Sequence, residues 1–148
     1  ASTYPNCTNF HYEIKVSGPD ITNLSGLNQI EAMFSYFTIM DNPNLVSLSG
    51  LENLSFVGQT TRIVNNPLLV NLQGLNSLEG RSIYVSGNDA MSSFDGLDSL
   101  ESLNSLSIFN NNSLVDISIL ENATNVSQNL SVSISNNANL SQCSLSIF

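Results

Sequence analysis

Five times along this chain an asparagine stands three residues ahead of a large apolar residue: Asn42 before Leu45, Asn66 before Leu69, Asn88 before Met91, Asn111 before Leu114 and Asn137 before Leu140. The steps between these asparagines are 24, 22, 23 and 26 residues. Each apolar residue then starts a run at period three, as in Leu45-Leu48-Leu51-Leu54, Leu69-Leu72-Leu75-Leu78 and Met91-Phe94-Leu97-Leu100. A glycine-leucine step recurs inside the run, at Gly26, Gly50, Gly74 and Gly96. A unit of this length cannot bury its own apolar face, so it must stack on copies of itself into a solenoid.

Residues 59–80 show how one coil is built. Thr61-Arg62-Ile63-Val64 alternates and is β-branched, which predicts a short strand. Asn65-Asn66-Pro67 predicts a turn, because Asn tolerates left-handed backbone and Pro ends ladder pairing. Leu69-Val70-Asn71-Leu72 reads as a second extended piece. Gly74 to Leu78 reads as a tight corner of 3₁₀ character, where residues i and i+3 eclipse. Equivalent strands are expected at Phe37–Met40, Ile83–Val85, Leu106–Phe109 and Leu130–Ile134. The expected fold is therefore mainly β: a right-handed leucine-rich-repeat solenoid with a parallel sheet and about five to six coils. Residues 1–20 read as an N-terminal cap, 21–139 as the repeats and 140–148 as a last partial coil. The fifth coil departs from the pattern: Ile119 replaces the glycine, and a longer loop is expected from Asn122 to Asn129. Asn42, Asn66, Asn88, Asn111 and Asn137 are expected to point inward as a structural ladder, because buried backbone must find polar partners.

Composition removes several functions. Net charge is −9, with Lys15, Arg62 and Arg81 the only Lys or Arg residues. Nucleic-acid binding needs clustered cations and has no electrostatic basis here, and anionic lipid is disfavoured for the same reason. No run is long and apolar enough to span a bilayer. No basic-then-apolar leader opens the chain, so a secretory signal is expected to have been removed or never present.

The residues resemble the extracellular leucine-rich-repeat domains of secreted and cell-surface proteins of Bacteroidetes, with coils similar to those of receptor L domains. The matching segments are Tyr4-Pro5-Asn6-Cys7-Thr8, Asp20-Ile21-Thr22-Asn23-Leu24-Ser25-Gly26-Leu27, Asn65-Asn66-Pro67-Leu68, the Gly-Leu-x-x-Leu blocks and Asn139-Leu140-Ser141-Gln142-Cys143. The resemblance covers nearly the whole chain. It implies an extracellular or cell-surface module for adhesion or recognition, without catalysis, and a second cysteine beyond Cys143 as that residue's partner.

Read on their own, Cys7 and Cys143 are separated by about five coils, roughly 25 Å at sheet spacing, too far for a disulfide within one chain. Cys143 then reads as a buried small hydrophobe or as a residue with a partner elsewhere. His11 is the only histidine, and no second ligand stands at metal-binding spacing, so no metal is expected. No nucleophile elbow, phosphate loop or dinucleotide fingerprint is present, and no cofactor or enzymatic activity is expected. Glu31, Glu79 and Glu101 each fall five residues after a glycine. Their expected role is a solvated acidic edge.

The outward rows of the strands are Thr38, Arg62, Tyr84, Ser107 and Ser133, beside Met40, Val64, Ser86, Phe109 and Ser135. Together they place Met40, Arg62, Val64, Tyr84 and Phe109 on one exposed face as a binding surface, since Arg and aromatic side chains anchor interfaces and stack on sugars. Asn-x-Ser/Thr sequons occur at Asn6, Asn23, Asn53, Asn111, Asn122, Asn125, Asn129 and Asn139. Candidate glycosylation positions are Asn122, Asn125 and Asn129, then Asn53 and Asn23, and the resemblance implies Ser99, in Asp98-Ser99-Leu100, as an O-linked candidate. The expected function is adhesion or recognition of a protein or glycan ligand. The alternative is a subunit of an extracellular fibre, assembled head-to-tail through the solenoid ends.

Overall fold

A computed structural model of the chain describes residues 7–141. The chain winds as a β-solenoid of about six turns, with all strand pairs parallel. The strands are β1 (Asn9–Phe10), β2 (Ile14–Val16), β3 (Ala32–Met33), β4 (Phe37–Met40), β5 (Phe56–Val57), β6 (Thr60–Val64), β7 (Ser82–Ser86), β8 (Ser102–Phe109) and β9 (Asn125–Ser135). A six-stranded sheet runs β2-β4-β6-β7-β8-β9, and a smaller one runs β1-β3-β5. The expected strands are all present, and β8 and β9 are longer than expected.

From β4 onward each coil leaves the large sheet through one residue of positive φ: Asp41 (57°), Asn65 (53°), Gly87 (69°), Asn110 (56°) and Asn136 (58°). Asp, Asn and Gly are the residues that tolerate this backbone. The next residue in every case is a ladder asparagine.

The period-three run has a direct physical cause. In three turns of each coil, the N–H of an apolar residue donates to the carbonyl three residues back, as Leu69 to Asn66, Leu75 to Leu72 and Leu78 to Leu75, while the Leu72 N–H between them donates to Asp95 of the next coil. The same bonds recur at Leu45, Leu51, Leu54, Met91, Leu100, Leu114 and Leu120. Residues three apart eclipse in such turns, so one residue in three points into the coil. These residues form a continuous core from Leu24 to Ala123. In the large sheet the inward positions are also in register, with Val16, Ile39, Ile63, Val85, Ile108 and Ile134 forming one row.

Gly50, Gly74 and Gly96 carry φ of 110°, 114° and 107°. A Cβ at Gly74 would stand 2.3 Å from the Leu48 carbonyl oxygen of the preceding coil. Backbone of one coil thus packs directly on backbone of the last, which only glycine permits. Gly26 differs: its φ is not positive and no described atom lies within 4 Å of its Cβ position.

Three local expectations are corrected. Leu69–Leu72 links two turns and is not a strand: its backbone meets the next coil through only two bonds, from the Ser92 N–H to the Val70 carbonyl and from the Leu72 N–H to the Asp95 carbonyl. The fifth coil has no long loop: Ser118–Asn122 is a 3₁₀ segment and β9 starts at Asn125. The extra residues lie inside β9 as a bulge, since Leu103 pairs with Val126 but Ser105 pairs with Ser131. A bulge keeps the inward side chains in phase on both sides of an insertion. Finally, β1 and β2 pair with β3 and β4, so the sheets extend back into the segment read as a cap. Cys7 is exposed with a free thiol. Cys143 and Asn6 lie outside the described residues.

Candidate ligand-binding face

Strand alternation sends every second residue of the large sheet outward. The register aligns Lys15, Thr38, Arg62, Tyr84, Ser107 and Ser133 in one row. The neighbouring row aligns Met40, Val64, Ser86, Phe109 and Ser135. Both expected rows are therefore present in the expected order.

Their exposure differs from the expectation. Arg62 is exposed, but Met40, Val64, Tyr84 and Phe109 are half-buried against one another. Tyr84 and Phe109 pack at 5.9 Å between ring centroids with a 52° tilt, a favourable aromatic geometry. Thr38 is buried, because its hydroxyl donates to Glu13 Oε1 at 2.9 Å and it sits between Lys15 and Arg62. Alternation says which face a residue takes, whereas its exposure depends on the size of its cross-strand neighbours.

Thr38, Met40, Arg62, Val64 and Tyr84 line a shallow groove of about 390 Å³. The Arg62 guanidinium lies over the Tyr36 ring, 4.6 Å from its centroid. This cation–π contact holds the guanidinium against the sheet face without using its N–H donors. Among the described residues Arg62 has no hydrogen-bonding or carboxylate partner. The groove thus combines apolar walls with one oriented, unpaired cation.

The ladder asparagines lie at one corner of the coil, away from this groove. Asn42, Asn66, Asn88 and Asn111 are fully buried, and Asn137 is half-buried. Asn88 Oδ1 accepts from the Asn66 backbone N–H (3.0 Å) and Nδ2 (3.2 Å). Asn88 Nδ2 donates to the Ile63 and Ser86 carbonyls. The pattern repeats from Asn88 to Asn111 and from Asn111 to Asn137.

The glycosylation candidates are scattered over other surfaces. Asn122, Asn125 and Asn129 are exposed, the last inside the β9 bulge, and Ser99 is exposed on a turn. The side-chain nitrogens of Asn23 and Asn53 are hydrogen-bonded, to Thr22 Oγ1 and the Asn28 carbonyl. Asn111 is a buried ladder residue and cannot carry a glycan in this fold. Glu31, Glu79 and Glu101 are exposed in one backbone column, with Ser55 completing it. No group of three His, Cys, Asp or Glu residues among the described residues could hold a metal ion.

Sequence reasoning missed Tyr36 and Glu13, which hold Arg62 and Thr38. Both precede their partners' row by two residues on the same face, so counting outward positions one step further finds them. It also missed a second aromatic row beside the small sheet. There His11 stacks on Phe34 (4.8 Å, 13°), Phe34 meets Phe56 (5.5 Å) and Arg81 lies over Phe56 (5.2 Å). No family model matches the chain, and no curated protein or solved structure matches it.

Proposed function

We propose that this chain is a non-catalytic recognition or adhesion module, secreted or held at a cell surface, whose ligand rests on the outward face of the six-stranded sheet. The groove between Arg62 and Tyr84 carries this reading. It brings aromatic, aliphatic and guanidinium groups together on a rigid frame, and preorganised anchors of this kind dominate binding energy. The leucines and ladder asparagines are consumed by the frame itself.

The fibre reading meets a specific obstacle. Gly18 occupies the ladder position of the first coil. A second copy stacked against that coil would meet a residue without an amide side chain, so the amide ladder could not cross the joint.

Binding of the full chain to arrays of glycans and of extracellular protein domains tests the proposal. Wild-type protein is expected to bind, Tyr84→Ala to lose binding with unchanged melting temperature, and Val115→Ser on another surface to keep it. Binding that survives Tyr84→Ala, or an absence of any ligand, overturns the assignment.

A further inference from the structure

The outward sheet face carries most of the chain's few cations. Lys15 and Arg62, two of the three Lys or Arg residues, share one row of it, two strands apart. Of the twelve acidic residues only Glu13 stands on this face, and Thr38 already donates to its carboxylate. The face therefore carries a local positive excess in a chain of net charge −9. With eleven carboxylates elsewhere, Arg62 is paired with none of them; its guanidinium sits over the Tyr36 ring instead. A guanidinium held this way presents a planar fork that matches a carboxylate.

Beyond the groove the face changes character. Ser82 and Ser86 on β7, Ser105 and Ser107 on β8, and Ser131 and Ser133 on β9 lie outward and in register. Their hydroxyls follow the strand spacing of about 4.8 Å along the solenoid axis. Tyr84 and Phe109 stand among them. Hydroxyl groups that both donate and accept, interleaved with aromatic rings, suit a polyhydroxylated ring compound. A peptide ligand would need a free strand edge or deep side-chain pockets, and this face offers a shallow groove on fully paired strands.

We infer that the face binds a linear glycan bearing carboxylate groups, lying along the solenoid axis. Arg62 receives a carboxylate, the Tyr84–Phe109 pair contacts sugar faces, and the serine rows take up hydroxyls. This rests on the recognition reading above and names its ligand class.

The test is affinity electrophoresis of the full chain through gels containing polygalacturonate, alginate, hyaluronan, methyl-esterified polygalacturonate or polyglutamate. At least one carboxylated polysaccharide should retard the protein, and the methyl ester should not. Arg62→Gln should weaken retardation roughly tenfold or more, with Arg62→Lys restoring little of it. Arg81→Gln, which removes the same charge elsewhere, should leave retardation intact. Melting temperatures confirm that each variant is folded. The inference fails if no acidic polysaccharide retards the chain, if the ester binds equally, if polyglutamate binds as well as the sugars, or if Arg81→Gln matches Arg62→Gln. Retardation by the neutral ester that Tyr84→Ala abolishes would sink the acidic-glycan inference alone. An absence of any ligand on the arrays as well would sink the recognition reading with it.

Discussion

Gly18 stands directly before Asn42 in the stacked ladder, and Asn42 Oδ1 has no hydrogen-bond donor among the described residues. The Ile21 N–H donates to the Gly18 carbonyl as the Leu45 N–H does to Asn42 and the Leu69 N–H to Asn66, so Gly18 takes the ladder position of the first coil without a side-chain amide. Asn42 Nδ2 donates to the Val16 carbonyl and to Asn66 Oδ1. Elsewhere in the ladder the Oδ1 atom accepts a backbone N–H from the preceding coil, as Asn111 Oδ1 does from Asn88. Every other rung follows a residue at φ 53–69°, whereas the first coil reaches its ladder position at Gly18 with φ 158°, and the Gly18 N–H does not bond Asn42 Oδ1.

Asn66→Leu should be among the most damaging single changes. It removes donors to the Ile39 and Val64 carbonyls and the acceptor of Asn42 Nδ2, all at a buried site. Unpartnered buried groups cost about 1–3 kcal/mol each, so a loss of about 3–5 kcal/mol is expected. Asn137→Leu, at a half-buried position, should cost less than half of that. Equal losses at the two sites would show that burial does not set the cost.

Gly74→Ala and Gly26→Ala should separate sharply. The first places a Cβ 2.3 Å from the Leu48 carbonyl at φ 114°, and the second meets nothing described within 4 Å at an ordinary φ. Strain and overpacking together predict a loss of about 3 kcal/mol or more for Gly74→Ala. Gly26→Ala should stay within about 0.5 kcal/mol of wild type. Guanidinium melts of both variants provide the comparison.

Acid should weaken the fold through Glu52. Its carboxylate accepts the Gly50 N–H at 2.9 and 3.0 Å and the Ser49 hydroxyl at 3.0 Å. The backbone bond from Gly50 is the main cause of a pKa below the usual glutamate range. A carboxyl group whose pKa is lower in the folded chain than in the unfolded chain stabilises the fold above the unfolded value, about 4.3 for Glu. That stabilisation is lost as pH falls from there through the folded value. Asp116, lowered chiefly by the Ser118 backbone N–H, acts in the same direction. Between about pH 6 and pH 3 the melting temperature of wild type should fall more than that of Glu52→Gln. Parallel curves would remove Glu52 as a contributor.

Much of this protein was legible in its sequence because each coil is closed by local bonds. The i to i+3 turns impose the period-three apolar run, and the positive-φ position before each asparagine demands Asp, Asn or Gly. Strand alternation likewise determined which residues form the two outward rows. Other features were decided only when the coils stacked. Strands of two residues, such as β1, β3 and β5, are too short to show alternation, so the second sheet was invisible. Thr38 lost its exposure to Glu13 and its cross-strand neighbours. The insertion in β9 became a bulge, because the inward residues on either side had to stay in phase. Arg62 met Tyr36, and Asn42 met the Val16 carbonyl, through contacts across 26 residues of chain that exist only in the stacked register. Periodicity specifies what one coil repeats; contact between coils decides which of its side chains are covered, paired or left available to a ligand.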